Sequence, residues 1–128
     1  MNVTTGADNA LSGQSNERPN VAGNPIPAAQ SINQWLLPAA FGSPLAGSYG
    51  NLGINAFKGP GYLGFDVAVV RSFPIRERQK LEFRAEGFNV VNRLNANNPT
   101  ASLSSPTFGR VISEMDPRIL QLALKFLF

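Results

Sequence analysis

RILQLALKFLF, residues 118–128, closes the chain and sets the problem of its fold. Leu120, Leu122, Leu124, Phe126 and Phe128 occupy every second position. A period of two is the pattern of a β-strand with one apolar face. Two features keep a helix open. Gln121 and Lys125 stand four apart, and Asp116-Pro117 has the form of an N-cap followed by proline at the first helical position. As a helix, however, the segment is apolar almost all round. As a strand it separates into the Leu/Phe row and a mixed row of Ile119, Gln121, Ala123, Lys125 and Leu127.

Two segments upstream show related patterns. GYLGFDVAVVRSF, residues 61–73, is rich in Val and Phe and bounded by Gly and Pro, which predicts a strand. Phe65, Val67, Val69 and Phe73 share one side, interrupted by Arg71. Asp66, Ala68, Val70 and Ser72 share the other. In KLEFRAEGFNVVNR, residues 80–93, Leu81, Phe83, Ala85 and Gly87 alternate with Lys80, Glu82, Arg84 and Glu86. This segment also fits helical spacing, through Leu81, Ala85, Phe88 and Val91. Residues 74–79, PIRERQ, read as a short polar connection suited to an antiparallel hairpin.

The remainder of the chain is different. Residues 1–61 contain only Asp8, Glu17, Arg18 and Lys58 as charges, with prolines in GNPIP, LLPAAFGSP and FKGPG. Such a stretch predicts long irregular loop with local turns. The 128 residues allow one ordinary domain at most. No Cys is present, hence no disulfide frame, and no His, the commonest general base and metal ligand. The net charge of +3 brings no basic cluster with an aromatic platform, which argues against nucleic acid as a partner. MNVTTGADNALSG lacks the basic start and apolar core of a signal peptide, leaving a cytosolic chain or a piece of a longer one.

Three apolar strips need a cover, and a loop region supplies none convincingly. Three strands alone are marginal in water. Transmembrane strands of about 9–11 residues, apolar toward lipid and polar toward a lumen, fit better. We therefore expect Phe65, Val67, Val69, Leu81, Phe83 and Ala85 to face lipid. Asp66, Ser72, Glu82, Arg84, Glu86, Gln121 and Lys125 are expected to face a lumen. The short connection after the first strand and the long one after the second match the short periplasmic turns and longer external loops of outer-membrane barrels.

The ordered series RPNVAGNP, INQWLLPAAF, YGNLGINAFKGPGYLGFDVAVVRSFPI, LEFRAEGFNVVNRLN and SSPTFGRVISEMDPRILQLALKFLF resembles the C-terminal end of TonB-dependent receptors, most of all the Oar-like type. Longer Oar-like members carry a carboxypeptidase-regulatory-like domain ahead of the plug. The resemblance runs from about Arg18 to the end. It implies a mostly β fold: the C-terminal antiparallel strands of an outer-membrane barrel of about 22 strands, here as a fragment. Residues 1–61 would be a long external loop region after an incomplete strand. Residues 62–128 would hold the last three transmembrane strands, one short turn and one long loop. Met1 would be an internal or truncated start.

The resemblance further implies energy-coupled passage of a bulky ligand across the cell outer membrane. The partners would be outer-membrane lipid, the barrel-assembly machinery, the rest of the barrel and its plug. The TonB complex would act through a missing N-terminal part, and the transported ligand is unknown. No cofactor, metal or enzymatic activity is expected. Leu120, Leu122, Leu124, Phe126 and Phe128 match the terminal signal that the assembly machinery reads in such barrels.

The same residues also admit other readings. Glu82 and Glu86 with Arg84 could be catalytic carboxylates, but they lack a visible nucleophile or metal partner. A balanced row of charges facing a lumen explains them better. Trp35, Leu36, Leu37 and Phe41 could form a ligand platform, or simply anchor a loop. A small secreted or cell-surface β-rich module, binding a partner or carbohydrate through its loops, is the main alternative for the whole chain.

Overall fold

The computed structural model describes residues 1–128. Its strands are β1 (Asn20–Val21), β2 (Phe41–Gly42), β3 (Val67–Arg76), β4 (Gln79–Phe88) and β5 (Ile119–Leu127), with one 3-10 turn at Pro38–Ala40. There is no α-helix, so the helical option for the second and terminal segments falls. In the terminal segment the period-two pattern of Leu and Phe, paired along its length with β4, prevails over Asp116-Pro117 as a helix start. The chain divides into two compact units, Met1–Gly61 with Ala96–Glu114, and Tyr62–Asn95 with Met115–Phe128.

The first unit is mostly loop around a small core. Val3, Leu36, Leu52, Phe57 and Phe108 are buried together, with Trp35, Phe41 and Leu103 packed against them. The Phe41 ring meets Phe57 and Phe108 edge-on, at centroid distances of 5.7 and 5.2 Å, an arrangement that aromatic quadrupoles favour. Backbone pairing is short: β1 and β2 are antiparallel over two residues each. Gly109, at φ 73°, is required where it stands, because a Cβ there would meet the Leu36 carbonyl. The Gly109 carbonyl in turn accepts from Trp35 N at 2.7 Å.

The second unit is a three-stranded antiparallel sheet in the order β3-β4-β5. β3 extends beyond the expected strand and includes Pro74. Proline removes a ladder donor and is tolerated at edges and bulges. Here β3 is an edge, and the register shifts between Pro74 and Arg76, leaving Ile75 as the extra residue. The polar connection thus shrinks to the turn Glu77-Arg78, flanked by the pair Arg76 and Gln79. Neither turn residue has positive φ, so the primed turns usual in two-residue hairpins do not apply. The bulge supplies the added twist.

At the other end, β4 stops at Phe88, short of the expected Arg93. Asn89 and Asn92 sit at φ 48° and 52°, the left-handed region that asparagine tolerates better than most residues. The chain folds back so that Val90 N donates to Phe65 O at 2.9 Å. β3 correspondingly begins at Val67, and residues 62–66 run beside the turn instead of in the sheet.

Candidate functional site

The site is the sheet itself, and its register creates two unlike faces. Opposed residues in an antiparallel pair point to the same side. One face reads Val67, Gly87 and Leu120 in its first row, then Val69, Ala85 and Leu122. Arg71, Phe83 and Leu124 follow, then Phe73, Leu81 and Phe126. Arg71 excepted, these four rows are apolar across all three strands. Leu120, Leu122 and Leu124 are 69, 73 and 68 % exposed, so nothing within the chain covers them.

The opposite face carries the charges. Its rows are Ala68, Glu86 and Gln121; Val70, Arg84 and Ala123; Ser72, Glu82 and Lys125; and Pro74, Lys80 and Leu127. Along β4 the charge alternates from Lys80 to Glu86. Arg84 Nη1 bonds Glu86 Oε1 at 3.2 Å, the one salt bridge in the chain. Glu82 stands opposite Lys125 and beside Ser72. Each carboxylate therefore has a cationic neighbour along or across the strands, which suits a wet, balanced surface more than a pair of reacting acids.

Phe65 and Asp66 lie just before β3, outside the ladder. Asp66 Oδ1 accepts from Asn89 N at 2.9 Å and so fastens the turn after β4. The sequence reading missed the asparagines that organise this end of the sheet. Asn89 Nδ2 donates to the Arg93 carbonyl at 2.9 Å, and Asn89 Oδ1 accepts from Arg93 N at 3.2 Å. Asn95 is 3 % exposed and bonds both backbone groups of Leu63. The repeated Asn of NVVNRLN was the available signal, since asparagine side chains mimic backbone turns.

In the first unit the aromatic group resolves into packing. Leu36 is buried in the core, and Trp35 Nε1 donates to the Lys58 carbonyl at 3.0 Å. Beside them, Phe41, Phe108, Leu103 and Pro106 line an open cleft of about 350 Å³. In the same unit, Asp8 accepts from Ser12 N and Gly13 N, both at 2.8 Å. Its carboxyl pKa lies below 3.8: desolvation pushes it up, but the bonds from Ser12 and Gly13, with smaller side-chain contributions, outweigh that.

Comparison with known proteins agrees with the two-faced sheet. A family model described as outer membrane beta barrel domain matches residues 1–121. No curated protein and no solved structure matches the chain. The matched span covers most of the sequence, and the fold is mostly β with antiparallel strands. The chain is an outer-membrane protein and belongs to the outer membrane beta barrel domain family.

Proposed function

We propose that this chain is part of the wall of a transport barrel, the C-terminal strands of a TonB-dependent receptor of the Oar-like type, and is not an enzyme. The supporting observation is the alignment of three apolar rows into one exposed face. That face would meet lipid, and the row from Lys80 to Glu86 with Ser72, Gln121 and Lys125 would line the lumen. Strand lengths agree. The 10 residues of β4 span about 34 Å, or about 24 Å along the membrane normal at a tilt near 45°. The apolar band of such barrels is about 25 Å tall.

The two-residue turn after β3 would be periplasmic, and residues 89–118 an external loop. Leu120, Leu122, Leu124, Phe126 and Phe128 would be read by the barrel-assembly machinery. The lumen-facing row would meet the plug, and a bulky ligand would pass inward by energy relayed from the TonB complex. The test is uptake by cells carrying the protein. Accumulation of ligand should stop when the inner-membrane proton gradient is collapsed. Uptake that persists without the gradient removes the energy-coupled reading while leaving the barrel intact.

A further inference from the structure

Two arginines on the apolar face of the sheet have no counterion. Arg71 stands in the row with Phe83 and Leu124. Arg76 reaches the same face by way of the bulge. Without the extra residue Ile75, position 76 would fall on the charged side. With it, Arg76 opposes Gln79, whose side is that of Leu81 and Phe83. No acidic residue belongs to this face, and neither arginine forms an ion pair, even with Glu77 in the adjoining turn. The opposite face, by contrast, carries both signs in alternation.

An arginine at the midplane of a lipid-facing strand costs about 2–4 kcal/mol, and much less near the interface. The geometry moves Arg71 toward the interface. Its guanidinium carbon stands 5.7 Å from the centroid of the Phe73 ring, so the side chain leans toward the hairpin turn. The row of Arg71 lies about 10 Å from that of Arg76 along the membrane normal, for four residues of a tilted strand. A snorkelling side chain closes much of this gap. Phe73, Phe126 and Phe128 stand at the same end of the sheet, the last two stacked at 5.9 Å. Aromatic rings at this level mark the headgroup zone of membrane barrels.

We propose that Arg71 and Arg76, with the Phe73 ring between them, bind the phosphate of an anionic phospholipid in the leaflet on the hairpin side. The inference rests on the lipid-facing reading of the apolar face. The guanidinium fork matches phosphate oxygens, and its weak hydration suits a partly dry site. The acyl chains of the same lipid would lie along Val69, Ala85 and Leu122. The proposal thus commits to a lipid, because a free anion would gain nothing from the apolar rows.

The test is titration of a fluorescent phosphatidylglycerol into the full chain in non-ionic detergent micelles, with circular dichroism on the same samples. Arg71→Gln and Arg76→Gln should each weaken binding about fivefold, and together about 25-fold, from the usual attraction of one basic residue to an anionic lipid surface. Arg71→Lys should keep only part of the binding, because the charge stays while the fork is lost, and Arg84→Gln, on the opposite face, should keep all of it. Phosphatidylcholine should bind more weakly and without sensitivity to either substitution. Equal binding by wild type and the double variant, in micelles where β-structure has formed, overturns the site alone. Displacement by excess inorganic phosphate at constant ionic strength also overturns it, in favour of a free-anion site. Absence of β-structure in any micelle overturns the lipid-facing reading and the site with it.

Discussion

Asn95 holds the backbone of Leu63 at both of its polar groups: Oδ1 accepts from Leu63 N at 2.9 Å, and Nδ2 donates to Leu63 O at 2.9 Å. A side-chain amide here does what a neighbouring strand would do. It ties the entry to β3 to the loop that leaves β4, while Asn95 O accepts from Met115 N at 2.8 Å on the way to β5. All three approaches to the sheet thus meet at one buried residue.

Asn95→Ala should therefore loosen this end of the sheet. Two hydrogen bonds of about 1 kcal/mol each are removed. Asn95→Asp should be worse at neutral pH, because a carboxylate would face the Leu63 carbonyl. Hydrogen exchange of the Leu63 and Met115 amides in lipid or detergent checks this, and both should exchange faster in Asn95→Asp than in Asn95→Ala. Unchanged protection would mean that the bonds carry no stability.

Gly87 is closed in by its neighbours. A Cβ there would lie 2.5 Å from Val90 Cγ1 and 3.2 Å from Leu120 Cδ2. Gly87→Ala should destabilise by about 1–3 kcal/mol, the usual range for overpacking. Val90→Ala in the same chain should restore part of that. Urea unfolding from lipid vesicles measures both.

The two faces should respond differently to charge. Leu122→Arg and Ala123→Arg are adjacent on β5 but point to opposite sides. On the lipid reading the first should cost about 2–4 kcal/mol and the second far less. Folding yield in vesicles separates them. Equal effects would contradict a lipid-facing row.

Phe128 is 93 % exposed, and its ring stacks on Phe126. Deleting it should lower the amount assembled in the outer membrane, as judged by surface labelling, without lowering synthesis. Phe128→Tyr should keep most of the signal, because an aromatic ring is retained. Full surface levels after deletion would remove the role proposed for this terminus.

Acid should loosen the loop at Asp8. Its carboxyl pKa is depressed in the fold, so its stabilising bonds are complete above the unfolded value near 3.8 and fade as pH falls through the lower, folded value. The Ser12 and Gly13 amide resonances should shift together below that value and hold steady above it. Asp8→Asn should abolish this transition.

How much of this was legible beforehand differs by residue. Leu81, Phe83 and Ala85 announce one side of β4, and Leu120, Leu122 and Leu124 one side of β5, because alternate side chains of a strand point to opposite faces. That rule is local, so the sidedness of each segment as a strand followed from the sequence by itself, whereas the second and terminal segments also fit a helix and the ladders between β3, β4 and β5 decide for strand. The register did not. Only pairing between strands aligns Leu81 with Phe73 and Phe126, and a slip of one residue would have mixed the apolar row with the charges.

The bulge at Ile75, the transfer of Arg76 to the apolar face and the asparagine ties at Leu63 and Arg93 belong to the same class. Residues 74–79 read as a plain polar connection, and 89–93 as more strand, because neither pattern shows where a ladder must end. The sequence determined the alternation, since the pleat of one strand suffices to produce it. The tertiary structure decided which rows meet and which arginines are left without a partner, since those depend on hydrogen-bond ladders between strands, which the pattern of one segment does not show.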